Sequence, residues 1–105
     1  MHVPEAIHIT WASALILHSV ALGQRYGYEV MESTGLPSGT IYPALRRLER
    51  AGLLRSDLED EKSAFREQRP ARRYYAMTAA GGRMLAKAMD RYTPLRRLGP
   101  EKEVR

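Results

Sequence analysis

Across residues 38–53 the apolar side chains Ile41, Ala44, Leu45, Leu48 and Ala51 recur at i, i+3, i+4, i+7 and i+10. That spacing places them on one stripe of a helix. Arg46, Arg47 and Arg50 fall off the stripe, toward solvent or a partner. Ser38 offers a side-chain oxygen for an N-terminal cap. Gly52 stands just past the periodic residues, where a glycine stops a helix. Pro43 has no N–H and clashes with the carbonyl four residues back, so it is cheap only in a first turn. The regular helix is therefore expected to begin near Gly39 or Thr40. A first turn of Ser38, Gly39 and Thr40 carries little bulk, and its free N–H groups favour an anion.

The pattern changes character along the chain. Residues 1–9 have little periodicity and read as an arm. Thr10 can cap a helix running to about Leu22, with Gly23 ending it. This helix is apolar nearly all round, which predicts burial on several sides, and a second subunit is the expected cover. A second helix over about residues 28–33 turns Val30 and Met31 inward and Glu29 and Glu32 outward. Thr34, Gly35, Leu36 and Pro37 form a tight turn, with Gly35 at positive φ. Two short helices joined by a glycine turn, the second one basic, predict a helix-turn-helix. Residues 53–60 read as a strand, 61–71 as a polar loop without period, and 72–77 as a second strand. The pair forms a β-wing. Thr78 caps a last helix in which Gly81 and Gly82 weaken the first turns. Leu85, Ala88, Tyr92 and Leu95 are spaced 3-4-3, as on a helix that packs against another. Pro94 is expected to end or kink it, and the charged tail after Leu98 to fray.

The fold expected is mainly α with a small β-hairpin: one domain over 1–105, with a winged helix-turn-helix at 10–77 and a dimerisation helix at 78–98. At 105 residues the chain suffices for one core. The formal net charge is +5. Residues 38–51 carry net +2 and residues 62–73 net +4, so the positive charge is concentrated in the 38–51 helix and the wing. That concentration suits a polyanion. There is no cysteine, which excludes disulfides, thiolate metal sites and cysteine nucleophiles. No apolar run spans a bilayer and no signal-peptide pattern opens the chain, so a cytoplasmic location without membrane contact is expected. His2, His8 and His18 do not make a metal site. Asp57, Glu59, Asp60 and Glu61 read as a solvated acidic edge facing away from the polyanion. No serine, histidine and carboxylate set has nucleophilic spacing, so no enzyme and no cofactor are expected. Tyr42 either packs beside Ile41 or offers its hydroxyl to a phosphate, and its place off the stripe favours the phosphate. Tyr74 and Tyr75 point to opposite faces of their strand, so one belongs to the core.

Three stretches resemble the PadR family of bacterial transcriptional regulators: RYGYEV at 25–30, SGTIYPALRRLERAGL at 38–53 and RRYYAMTAAG at 72–81. With the spacing between them they span most of residues 10–90. The tyrosine–proline pair inside a basic recognition helix is the most specific of these signals. The resemblance implies a winged helix-turn-helix that binds double-stranded DNA, a homodimer built with the first and last helices, and usually repression. DNA contacts are then expected from Ser38, Gly39, Thr40, Tyr42, Pro43, Arg46, Arg47 and Arg50 on the helix. Lys62, Arg66, Arg69, Arg72 and Arg73 would supply the wing contacts, with phosphates giving affinity and base edges sequence choice. Trp11, Leu15, His18, Leu22, Leu85, Ala88, Tyr92 and Leu95 are the expected dimer contacts. Trp11 either anchors that interface or floors a pocket for a flat small-molecule effector. The remaining alternative is a winged helix used for protein–protein contacts, which predicts weak DNA binding at any sequence.

Overall fold

The structure is a computed structural model describing residues 9–97, with side chains to Tyr92. The arm with His2 and His8, the tail after Leu98 and the side chain of Leu95 lie outside it. Seven elements follow in order: α1 (Trp11–Ala21), α2 (Gly27–Thr34), α3 (Ser38–Arg50), β1 (Leu54–Leu58), α4 (Glu61–Arg66), β2 (Arg73–Met77) and α5 (Ala79–Arg97). The expected class, mainly helical with one hairpin, is what forms.

Local chemistry explains most boundaries. The Thr10 hydroxyl accepts a bond from Ser13 N–H at 3.0 Å and starts α1. Gly23, Gly35 and Gly52 all have positive φ, ending α1, α2 and α3. Ser38 is not the cap of α3. Pro37 holds that position with extended backbone and no side-chain cap bond. Its carbonyl accepts from Thr40 and Ile41 N–H at 2.9 and 3.0 Å. Ser38 is thus the first helical residue, and Pro43 lies six residues in rather than in the first turn. The helix accepts the loss of one bond to the Gly39 carbonyl, and Gly39 is exposed to water. Likewise α5 runs through Pro94 to Arg97 instead of ending there.

The core is built from Ile16, Leu17 and Val20 of α1, Val30 of α2, Ile41, Ala44, Leu45 and Leu48 of α3, and Leu53, Leu54 and Tyr75. The stripe read from the sequence is thus the buried face of α3, with Ala51 exposed at its end. β1 and β2 pair antiparallel, Leu54 opposite Met77 and Leu58 opposite Arg73. A third segment joins them: Tyr26 bridges Tyr74, and Tyr75 N–H donates to the Arg25 carbonyl at 2.7 Å. What reads as a mere connection before α2 is therefore bridged to β2, which fixes the wing to the helix-turn-helix. Gly81 is buried where α5 crosses the end of β1. A Cβ there would run into the Leu53 carbonyl, so this glycine is a packing requirement rather than a weak point.

Candidate nucleic-acid interface

α3 buries its apolar stripe and leaves the opposite side open. Ser38, Gly39, Arg46, Arg47 and Arg50 are exposed, and Thr40 and Pro43 are half-buried. Nothing lies within 4 Å of the place a Cβ would occupy on Gly39. Tyr42 packs against α2 and still reaches solvent. Its ring lies across Gly27, where any Cβ would overlap it, yet the residue stays 41% exposed. Glu49, the one acid of α3, accepts a hydrogen bond from the Ser56 hydroxyl at 2.7 Å. That bond ties the helix to β1.

The wing is more ordered than a polar loop. Residues 61–66 form α4, capped by Asp60, which accepts from Ser63 N–H at 3.2 Å. Ala64 turns inward, while Lys62 and Arg66 are exposed. The expected solvated acidic edge is broken at Glu59. Its carboxylate takes both guanidinium Nη atoms of Arg69, at 2.6 and 2.9 Å, and Arg72 N–H at 3.1 Å. Those bonds, the Arg69 pair first, hold the Glu59 carboxyl down to about 2. The same pair pushes the Arg69 guanidinium further up. Arg69 therefore serves the wing's internal frame. Arg73 donates to the Ser56 hydroxyl at 3.0 Å.

Tyr75 is the buried member of the tyrosine pair and Tyr74 the half-buried one. Burial, and secondarily the charge of Glu49, raises the Tyr75 hydroxyl above its ordinary range. Tyr74 meets Tyr26 edge to face at 5.6 Å between ring centres. Arg25 lies 4.8 Å from the Tyr74 ring centre and Arg72 4.0 Å from that of Tyr26. Arg25 and Tyr26 are not among the site residues expected from the sequence. The interleaving of basic and aromatic residues at 25–28, matched at 72–75, is the signal that could have found them. Between α2, Tyr42 and the start of β2 opens a cavity of about 360 Å³, lined among others by Tyr26, Tyr28, Tyr42 and Arg72.

A helix-turn-helix with a basic, small-residue recognition helix and an arginine-bearing wing is now in place. The transcriptional regulator PadR-like family model matches residues 16–87. The chain belongs to this family. No curated protein sequence matches the chain. Among solved structures it is similar to a PadR family transcription regulator from Clostridium difficile R20291. The two are 26% identical, the match covers 85% of this chain and 94% of that one, and the TM-score is 0.71. A PadR family regulator from Eggerthella lenta DSM 2243 is 28% identical over 78% of this chain and 74% of its own, with TM-score 0.61. BpsR of Bordetella bronchiseptica, whose DNA binding is regulated by 6-hydroxynicotinic acid, shares the fold. It is 18% identical over 97% of this chain and 76% of that one, with TM-score 0.67.

The other surface of this PadR-like regulator lies between α1 and α5. Leu15, His18, Ala88 and Met89 line an apolar cavity of about 150 Å³ with Trp11 and Tyr92. Trp11 and Tyr92 meet edge to face within one chain, 4.8 Å between ring centres. The Tyr92 hydroxyl donates to the Ile9 carbonyl at 3.2 Å. Leu85 packs on the chain's own core and Ala88 is already buried in the single chain. Trp11 and Leu22 remain 51% and 66% exposed. Among the described residues no helix is long and apolar enough to cross a membrane, and no group of His, Cys, Asp and Glu is placed to hold a metal ion.

Proposed function

We propose that the protein is a sequence-specific repressor that binds an inverted-repeat operator as a homodimer. The observation that carries this reading is the division of α3. One face supplies four core residues, and the other presents a bulk-free first turn followed by three exposed arginines. In this reading α3 enters the major groove by its N-terminal end. Ser38, Gly39, Thr40, Tyr42 and Pro43 lie nearest the bases, and Arg46 stands one turn further on. Arg47 and Arg50 serve the flanking phosphates, together with the wing.

Selection of bound fragments from the source genome tests the reading directly, because it yields both operator and neighbouring gene. The expected result is a dyad sequence overlapping a promoter, with transcription falling when the protein is added. Binding equally weak at every sequence would overturn it. Arg46→Ala should cost about 1–3 kcal/mol and relax preference at one symmetric base pair if Arg46 reads guanine. A uniform loss across operator variants would move Arg46 to the phosphates.

A second reading has its own observation, the apolar cavity floored by Trp11. In it a flat aromatic compound seats between α1 and α5 and releases DNA. Tryptophan quenching by such a compound, coupled to loss of operator binding, is the expected result. Quenching without loss of binding would reject it.

A further inference from the structure

Arg66, Arg69, Arg72 and Arg73 look alike in the sequence, but the fold engages each differently. Arg66 donates to the Ser63 hydroxyl at 3.3 Å. Arg69 spends its guanidinium on Glu59. Arg73 donates to Ser56. Arg72 is the exception. Its guanidinium carbon lies 4.0 Å from the centre of the Tyr26 ring, and among the described residues that guanidinium meets no hydrogen-bond acceptor. Its backbone N–H donates to the Glu59 carboxylate at 3.1 Å and its carbonyl accepts from Glu59 N–H at 2.7 Å, and its charge also acts on that carboxylate.

That arrangement has a chemical consequence. A guanidinium held against an aromatic face keeps its N–H donors along its edge, and those edge donors match a phosphate. The ring removes rotamer freedom from the side chain before any partner arrives. Tyr26 is itself well fixed. Its backbone bridges Tyr74, its ring meets the Tyr74 ring edge to face, and Tyr74 in turn carries Arg25. Both Tyr26 and Arg72 line the cavity of about 360 Å³ that Tyr42 of α3 also lines. The stacked arginine thus stands beside the face assigned to DNA, not on the far side of the wing.

We propose that Tyr26 is a positioning residue: a stacking platform that presents Arg72, ready-oriented, to a backbone phosphate of bound DNA. The inference rests on the DNA-binding reading above and adds a residue that carries no charge.

Salt dependence separates this role from a structural one, because freeing one phosphate from its cation lowers the log–log salt slope by about 0.9. Binding of the full-length protein to its selected operator and to random duplex is measured across salt for wild type, Arg72→Ala, Tyr26→Leu, Tyr26→Phe and the Arg72→Ala/Tyr26→Leu double variant. Arg72→Ala should lower the slope by about that amount on both DNAs. Tyr26→Leu should lower it by most of the same amount, and the double variant by no more than Arg72→Ala alone. Tyr26→Phe, which keeps the ring face, should match wild type. Tyr26→Gln replaces Tyr26→Leu should the latter not fold. An unchanged slope in Tyr26→Leu, with only the melting temperature lowered, would make Tyr26 a structural aromatic and overturn the proposal. An unchanged slope in Arg72→Ala would do the same by removing the phosphate. Absence of salt-dependent binding in wild type would instead overturn the DNA reading, and this inference with it.

Discussion

A methyl group added at Gly82 meets nothing within 4 Å, whereas one added at its neighbour Gly81 runs into the Leu53 carbonyl. Helix propensity alone treats the two glycines as equal. Gly82→Ala should stabilise the protein by roughly 0.5–1 kcal/mol through propensity. Gly81→Ala should destabilise it by about 1–3 kcal/mol, because rigid backbone must move to admit the methyl. Thermal unfolding should therefore give shifts of opposite sign, and shifts of the same sign would refute the close crossing of α5 over β1. Glu59 offers a second test. Its carboxyl is held at about 2 by Arg69 and the Arg72 N–H, below the roughly 4.3 of a free glutamate. A depressed value means that the stabilisation is fully present above the unfolded value and is lost as pH falls toward the folded one. Wild type minus Glu59→Gln stability should accordingly be flat near neutrality and shrink between about pH 4 and pH 2. A difference that grew on acidification would contradict the pairing.

For the helices, periodicity is sufficient information. The stripe of α3 and the glycine stops depend on neighbours within a turn, so they are legible in a single sequence. The wing is less so. α4 is six residues long, too short for a period to show, and its cap, Asp60, sits inside an acidic run that reads as solvent-facing. The bridge to β2 is also hidden, because Tyr26 pairs with Tyr74 across 48 positions and no local pattern marks it. α3 starts one residue before the serine suggests, because Pro37 takes the N-cap position with extended backbone and no side-chain cap bond. This matters for function, since it makes Gly39 the second helical residue, exposed and with open space around it. Gly39→Ala should raise stability by up to about 1 kcal/mol. If the end of α3 sits against base edges, the same change should weaken operator binding by roughly tenfold, the size of one spoiled base-pair contact. Stability is read by denaturant unfolding and affinity by titration of labelled operator. A variant that gained stability and kept full affinity would place the DNA away from this turn.

Among the described residues, apolar surface stays exposed along α1 and α5. The chain's radius of gyration is 15.8 Å, against ~13 Å for a compact chain of this length. α5, 19 residues long, extends over ~28 Å. Trp11, Leu22 and Met89 are exposed along α1 and α5, on the surface that also holds the small apolar cavity. A second copy placing its own α1 and α5 there would bury this surface under two-fold symmetry. The same symmetry would set two α3 helices about one helical turn apart, roughly 10 base pairs between half-site centres. Testing this needs residues that face outward. Leu85 packs on its own core and Tyr92 on Trp11 of its own chain, so a charge at either would unfold a monomer as readily as it split a dimer. Leu22→Glu avoids that confusion, because Leu22 is 66% exposed. By sedimentation at micromolar concentration the wild type should be a dimer and the variant a monomer with unchanged helical circular dichroism. The variant should retain salt-dependent binding to random duplex through its wing and α3. Its preference for the full operator over a single half-site should disappear, because that preference arises from two linked reading heads. A wild-type monomer would overturn the assembly, and half-sites displaced by half a turn would overturn its geometry.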